Sequence, residues 1–171
     1  EDAFKAWREI GGAVTKSVTE VSDQVIRPAQ EAAEKAQDFA TAMSWSKVGI
    51  SLEKEVVEPF LSLRVSAVYL IATNKDEQWT AYQTQLDATK KSLESWQGKI
   101  ADKTQLLEVG KSIAASLTQY EAAGKNYSDG ILAEREADKT MAGAATGIVT
   151  AMGDLNKALN ADMAAVVTRT N

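Results

Sequence analysis

The sequence contains no cysteine and no histidine among its 171 residues. Without thiols and imidazoles the chain cannot build a zinc finger, a thiol nucleophile, a histidine-centred triad or a histidine general base. No nucleophile–base arrangement or cofactor motif can be assembled from the remaining residues. We therefore expect a protein that is not an enzyme and that holds neither a cofactor nor a metal.

Prolines and glycines are also few, and acidic residues outnumber basic ones by 24 to 19. Two prolines and ten glycines leave little sequence for strands or long loops. A net charge of −5 does not provide the basic face that nucleic acid binding requires. The longest run without charge, Thr140–Gly153, is too short to span a bilayer. Because the chain begins at Glu1 with no signal peptide, we expect a processed protein or an excised soluble fragment.

Apolar residues at helical spacing are abundant in the second half of the chain. They alternate in steps of four and three along two runs that share one phase: Leu106, Gly110, Ile113, Leu117, Tyr120, Gly124, Tyr127 and Ile131, then Met141, Ala145, Ile148, Met152, Leu155 and Leu159. This heptad spacing keeps one seam of a long helix facing a neighbour. We predict an all-α protein, an antiparallel up-down bundle of four long helices. An extra N-terminal helix pair, as in a stacked bimodular bundle, is the alternative arrangement.

Residues 3–73 are predicted to be helical throughout. Pro28 and Pro59 should each kink or break this segment, because proline lacks an N–H and clashes with the preceding turn. The sequences Val25–Pro28 and Val56–Pro59 also echo each other. A straight helix of this length would reach about 105 Å, so a fold-back or an overhang is required.

Two breaks bound the next helix. The first lies at Thr73–Asp76, where Asp76 can cap a helix that runs to about Gln97. The second is a turn marked by Gly98 and Asp102, and helix resumes by about Lys103.

The charged segment 131–141 allows two interpretations. The heptad phase is preserved from Ile131 to Met141, which favours one continuous helix with a polar layer. Gly130 and the density of charge favour a tight turn, and the need for a fourth antiparallel neighbour slightly favours the turn. The acidic side chains in this segment are expected to be solvated, because metal sites in bundles normally use Glu-x-x-His pairs.

Arg64 is the first candidate for a binding residue. It is the only charged residue from Pro59 to Thr73. A guanidinium on such an apolar helix needs an acceptor, and a carboxylate that accepts two hydrogen bonds is the natural one. Arg64 could therefore bind a ligand carboxylate between helices. It could equally form an internal salt bridge or extend to solvent.

Several aromatic residues lie near helix ends or on the seam: Trp79, Tyr82, Trp96, Tyr120 and Tyr127. They could line a small-molecule pocket between helices. Aromatic side chains at this spacing are more often simply part of the core.

A further pattern combines Val56–Arg64, Tyr69-Leu70, the turn at Asn74, Trp79 and Tyr82, Tyr120, and Glu134-Arg135-x-x-Asp138-x-x-Met141. In layout, residues 45–165 resemble the extracytoplasmic sensor domains of methyl-accepting chemotaxis proteins and related bacterial receptors, of the four-helix-bundle or helical bimodular type.

The resemblance implies a single sensor domain over residues 1–171. Residues 45–171 would form the core bundle and residues 1–44 a membrane-proximal extension. The domain would be the periplasmic part of an inner-membrane receptor, between two transmembrane helices, and would form a homodimer. It would bind a small organic acid or amino acid between helices and signal by displacement of the last helix.

The resemblance also implies the binding residues. Arg64 matches, by position, the arginine that such domains often use for ligand carboxylates, and Tyr69, Trp79 and Tyr120 would be its neighbours. The alternative is a structural or protein-interaction helical bundle without a small ligand, in which Arg64 is paired internally. A pore-forming toxin subunit is disfavoured, because the uncharged runs are short and rich in alanine.

Overall fold

A computed structural model describes the backbone of residues 2–170 and the side chains of residues 4–165. The described backbone consists of helices and turns and contains no strand, so the predicted all-α class is confirmed. The chain forms two compact units, Glu1–Ser128 and Asp129–Asn171.

Three short turns, at residues 36–38, 74–75 and 100–103, separate four continuous helical segments. Two of these segments contain a π-helical turn between two α-helices. The elements are α1 Asp2–Val21, a first π turn Ser22–Ile26, α2 Arg27–Lys35, α3 Phe39–Leu52, a second π turn Glu53–Val57, α4 Glu58–Thr73, α5 Asp76–Lys99 and α6 Thr104–Thr170.

Each proline follows a π turn. Pro28 and Pro59 each stand second in the α-helix that begins where a π turn ends. Proline cannot donate to the carbonyl four residues earlier and its ring clashes with that carbonyl, so a locally wider turn accommodates it. The predicted disruption is therefore real, but neither proline ends a helix.

The fold-back that the length of the first segment requires lies at residues 36–38. Gln37 has a left-handed backbone with φ of 59°. Asp38 caps α3, accepting hydrogen bonds from the Thr41 backbone N–H at 3.0 Å and the Thr41 hydroxyl at 2.7 Å. These bonds lower the pKa of the Asp38 carboxyl. The chain thus reverses, and α2 packs on α3.

The other boundaries fall close to the predictions. Asn74 ends α4 in a left-handed conformation, with its backbone N–H donating to the Leu70 carbonyl at 2.8 Å. Helix α5 begins at Asp76 as predicted, although its N-cap residue is Lys75. It extends through Gly98 to Lys99, so the predicted turn at Gly98 begins two residues later, at Ile100.

The core of the first unit includes the first run of the heptad stripe. From Leu106 to Tyr127, every residue of that run is buried or half-buried. Residues 1–44, which the resemblance set apart as an extension, contribute to this same core. Their contributions are Trp7, Val14, Val21 and Ile26. The structure therefore draws the division between compact units after Ser128 rather than after residue 44.

The second unit contains the ambiguous segment. Residues 131–141 are α-helical, so the slight preference for a turn was wrong. Gly130 has an ordinary negative φ, and Lys139 pairs with Glu136 one turn earlier at 3.8 Å. The second run of the stripe, Met141 to Leu159, is exposed along its whole length.

One described helical stretch, Phe39–Thr73, is long and apolar enough to cross a membrane by length and composition alone. Its best window has a mean hydropathy of 1.4, and 28% of that window is buried. No long charge-free run marks this stretch in the sequence, because charged residues are scattered along it. Core helices of soluble proteins also pass this test, so it is weak support for a membrane span.

Candidate functional site

The Arg64 side chain extends from α4 across Gly11 of α1. A Cβ atom added to Gly11 would lie 3.4 Å from Nε of Arg64. Arg64 is exposed, and it forms no ion pair with any side chain that the structure describes. Among the described residues, the internal salt bridge that the sequence left open is therefore not formed, and the guanidinium can bind an external anion.

Tyr120 of α6 lies close to this guanidinium. The Tyr120 side chain is 2% exposed. Burial raises the pKa of its hydroxyl to about 12, and the positive charge of Arg64 opposes part of that rise. Among the described residues the hydroxyl has no hydrogen-bond partner, so it is a neutral donor that feels the positive charge of Arg64.

A buried aromatic cluster supports Tyr120. The indole N–H of Trp7 donates to the Tyr120 carbonyl at 3.0 Å, and the Tyr82 hydroxyl donates to the same carbonyl at 2.8 Å. The ring centroids of Trp7 and Tyr82 lie 5.4 Å apart, and Phe60 meets Tyr120 edge-on at 5.7 Å. These contacts fix α1, α4, α5 and α6 around the candidate site.

The other two predicted site residues lie differently. Trp79 is half-buried and stacks on Tyr82 at 5.5 Å, so it belongs to the aromatic cluster one ring away from Tyr120. Tyr69 is 58% exposed and makes no ring contact among the described residues. The structure thus brings Arg64, Trp79 and Tyr120 to one region of the first unit and does not bring Tyr69 to their aromatic cluster.

A cleft of about 280 Å³ lies between the first helical segment and the second; we call it the α1–α4 cleft. Most of its walls are apolar, and both π turns contribute to them. The apolar walls are formed by Val14, Val18, Leu52, Val56, Phe60 and Leu61. Asp23 and Glu53, from the two π turns, also line it.

A second cleft, of about 410 Å³, is lined by Lys47, Lys99 and Lys103. Two of these cations are already paired, since Lys103 bonds Asp102 at 2.9 Å and Lys99 bonds Glu55. The second carboxylate oxygen of Glu55 is buried without a partner, so removing Lys99 from Glu55 would be costly. Only Lys47 is left for an external anion, which makes this cleft the weaker candidate.

Metal binding has no support in the part of the chain that the structure describes. No group of three or more Asp or Glu side chains there is arranged to hold a metal ion.

Gly124 of α6 is required by the aromatic cluster. A Cβ at this position would lie 2.6 Å from the hydroxyl oxygen of Tyr82, whose ring is held by its hydrogen bonds to Trp7 and Tyr120. We expect Gly124→Ala to lower the free energy of unfolding by about 1–3 kcal/mol, because the ring must shift. Urea unfolding followed by circular dichroism measures this change.

The matched control is Gly12→Ala. A Cβ on Gly12 meets nothing within 4 Å, and the residue lies within α1. Alanine there should raise the free energy of unfolding by about 0.5–1 kcal/mol through helix propensity. Equal effects of the two substitutions would contradict the close packing at Gly124.

Comparisons with protein-family models, with curated proteins and with solved structures find no match to this chain.

Sequence reasoning missed two residues of the site, Trp7 and Gly11. Both lie in the first 44 residues, which had been set apart from the core bundle. The spacing of Trp7, Gly11 and Val14 by four and three did contain the signal, because it is the period of a helix packed along one face.

Proposed function

We propose that this chain is a ligand-sensing domain of the chemotaxis-receptor type, which binds a small organic acid or amino acid through its carboxylate. Arg64 and the Tyr120 hydroxyl would be the two groups that hold the carboxylate. The protein would not be an enzyme and would need no cofactor. The proposal includes an antiparallel up-down arrangement of the helices, a periplasmic location and flanking transmembrane helices.

One observation carries the proposal. The Arg64 guanidinium lies over Gly11 and its charge acts on the Tyr120 hydroxyl, without a carboxylate partner among the described side chains. The Tyr120 ring also contacts Phe60, which stands one helical turn before Arg64. A ligand carboxylate could accept two hydrogen bonds from the guanidinium and one from the hydroxyl. The resemblance of residues 45–165 to chemotaxis sensor domains points to the same kind of ligand.

The two binding groups stand on different helices, Arg64 on α4 and Tyr120 on α6. A carboxylate held by both would favour the relative position of α4 and α6 in which the two groups converge. A ligand shifts such an equilibrium only by its difference in affinity for the two positions. Displacement of α6 would then be the output, as the resemblance implies.

The test is a binding screen with the chain and its Arg64→Gln variant. Calorimetry against a panel of carboxylates and amino acids, with the matching amides as neutral probes, should reveal acids that bind. Arg64→Gln removes a charged, bidentate hydrogen bond and should weaken the binding of these acids about 10- to 100-fold. Tyr120→Phe should weaken them about 10-fold, since it removes one donor to a charged group.

Arg8→Gln is the matched control. Arg8 is an exposed arginine on α1, and its replacement should leave acid binding unchanged. The proposal fails if no acid in the panel binds, if the amides bind as well as the acids, or if Arg8→Gln weakens binding as much as Arg64→Gln does.

A protein-interaction bundle without a small ligand is the second candidate function. Exposed apolar side chains favour it: Phe39, Met43, Ile50, Leu61, Val65, Val68 and Tyr69 in the first unit, and Met141, Ile148, Met152, Leu155 and Leu159 in the second. Such faces suit helical partners, including a second copy of this chain in the homodimer that the resemblance implies. Light scattering of the purified chain distinguishes a monomer from a dimer.

A further inference from the structure

We propose that the ligand of Arg64 is a monocarboxylate with an apolar body, and that this body occupies the α1–α4 cleft. The inference rests on the proposed function, because it takes Arg64 as the group that binds the carboxylate. It adds the chemical class of the ligand, which excludes short acids and dicarboxylates as the preferred ones.

Arg64 stands one helical turn beyond the end of the cleft on both of its walls. On α4, the cleft residues Phe60 and Leu61 precede Arg64 by four and three positions. On α1, Arg64 covers Gly11, and the cleft residue Thr15 follows Gly11 by four positions, with its hydroxyl donating to the Gly11 carbonyl at 2.9 Å. One turn is about 5.4 Å, so a carboxylate bound by Arg64 would have its body directed at the cleft.

The walls near Arg64 are apolar apart from Thr15, whose hydroxyl already donates to the carbonyl four residues earlier, and these walls determine the body of the ligand. Val14, Phe60 and Leu61 offer no charge and no hydroxyl to a bound molecule. Burying a methylene group in such surroundings is worth about a fourfold gain in affinity. An acid without an apolar body would leave the cleft unused.

The far end of the cleft disfavours a second carboxylate. Asp23 and Glu53 line it there, and Asp23 already pairs with Arg27 at 2.9 Å. No cation is paired with Glu53 among the described side chains. A dicarboxylate long enough to span the cleft would bring its second charge toward these acids, where like charges repel. Charge complementarity therefore selects an acid with one carboxylate.

Both π turns contribute to the wall of this cleft. Ser22 and Asp23 belong to the first π turn, and Glu53, Val56 and Val57 to the second. Single π turns within α-helices are frequent at functional sites. Here Pro28 and Pro59 each stand just after one of the two turns, and the turns lie on different helical segments that line one cavity.

The experiment measures the affinities of hexanoate, acetate, adipate and hexanamide for the purified chain by calorimetry. Hexanoate should bind on the order of 100-fold more tightly than acetate, from four added methylenes at about fourfold each. Adipate, which has the same carbon number but a second carboxylate, should bind at least about 10-fold more weakly than hexanoate, because that charge would lie against the apolar walls near Arg64 without a partner. Hexanamide has no charge for Arg64 and should bind no better than acetate.

Two variants test the location. Thr15→Phe places a ring in the cleft from an exposed position. It should weaken the binding of hexanoate about 10-fold or more and leave the affinity for acetate unchanged. Leu61→Ala removes an apolar wall contact and should weaken the binding of hexanoate several-fold, with no effect on the binding of acetate. The matched control is Thr118→Phe, at an exposed threonine of α6 whose hydroxyl also donates to the carbonyl four residues earlier, at 3.2 Å. It should change neither affinity.

The outcomes separate this inference from the proposed function. If acetate and adipate bind through Arg64 as tightly as hexanoate does, the sensor proposal stands and the cleft assignment is overturned. If Thr15→Phe and Thr118→Phe behave alike, the cleft assignment is also overturned. If no acid binds, or if Arg64→Gln leaves hexanoate binding intact, the proposed function fails and the inference fails with it.

Discussion

Replacing Trp7 by alanine is expected to lower the free energy of unfolding by about 3–5 kcal/mol. The Trp7 indole is 4% exposed and contacts the rings of Tyr82, Tyr120 and Tyr127 at 5.4–5.9 Å between centroids. Its removal leaves a large cavity and takes one of two side-chain donors from the Tyr120 carbonyl. Urea unfolding at neutral pH gives the change directly.

Two further variants test how much of this loss of stability depends on the size, the N–H and the buried position of Trp7. Trp7→Phe keeps an aromatic ring but loses the N–H, and it should cost less than Trp7→Ala because the cavity is smaller. Phe4→Ala removes an exposed ring from the same helix and should change stability by no more than about 0.5 kcal/mol. A loss at Phe4 as large as that at Trp7 would contradict the central position of Trp7 in the core.

Alkaline pH is expected to destabilise the first unit through its buried tyrosines. Burial raises the pKa of Tyr120 to about 12 from the ordinary 10.0, and it raises the pKa of Tyr82 in the same direction. The folded protein therefore keeps phenol protons that the unfolded chain releases. The stabilisation is fully present below pH 10.0 and is lost as the pH rises toward about 12. For Tyr120 the loss is on the order of 2–3 kcal/mol.

The tyrosine variants isolate this effect from the titration of lysine. Tyr120→Phe and Tyr82→Phe should each reduce the fall in stability above pH 10.0, measured by urea unfolding across the alkaline range. Tyrosinate absorbance should show ionisation that coincides with unfolding. A pH profile in both variants equal to that of the unmodified chain would mean that these phenols titrate normally in the folded state.

Local patterns were enough to place most helices. The start of α5 at Asp76 and the resumption of helix near residue 103 follow from turn and capping residues next to each other in the sequence. The turn at 36–38 was missed because it contains neither glycine nor proline. Its signal was the Asp38-x-x-Thr41 cap, which is weak until the helix that it begins is known.

The candidate site was only partly predictable. Arg64 was predictable because a single charged residue within an apolar helix can be recognised from the sequence alone. Tyr120 lies on the predicted seam, which placed it toward the interior, whereas Trp79 lies near the start of α5. Tyr69 came only from the resemblance, and its ring is exposed because Leu70, the next residue, faces the core instead. The spacing of Gly11 indicated a packed helix face, but its position beneath Arg64 could not be predicted, since its part is to leave room for a side chain from a different helix.

The sequence by itself determined that this protein is helical, because the spacing of its apolar residues and its scarcity of turn-formers are properties of neighbours along the chain. It also excluded any chemistry that needs a histidine or a cysteine side chain, since the sequence contains neither residue. Only the tertiary structure decided that Arg64 pairs with no acidic side chain among the described residues and that its charge acts on Tyr120, 56 positions later in the sequence. It likewise decided that the α1–α4 cleft lies one turn from Arg64. Both depend on which helices pack together, and that follows from how side-chain volumes fit across the core, which no local pattern specifies.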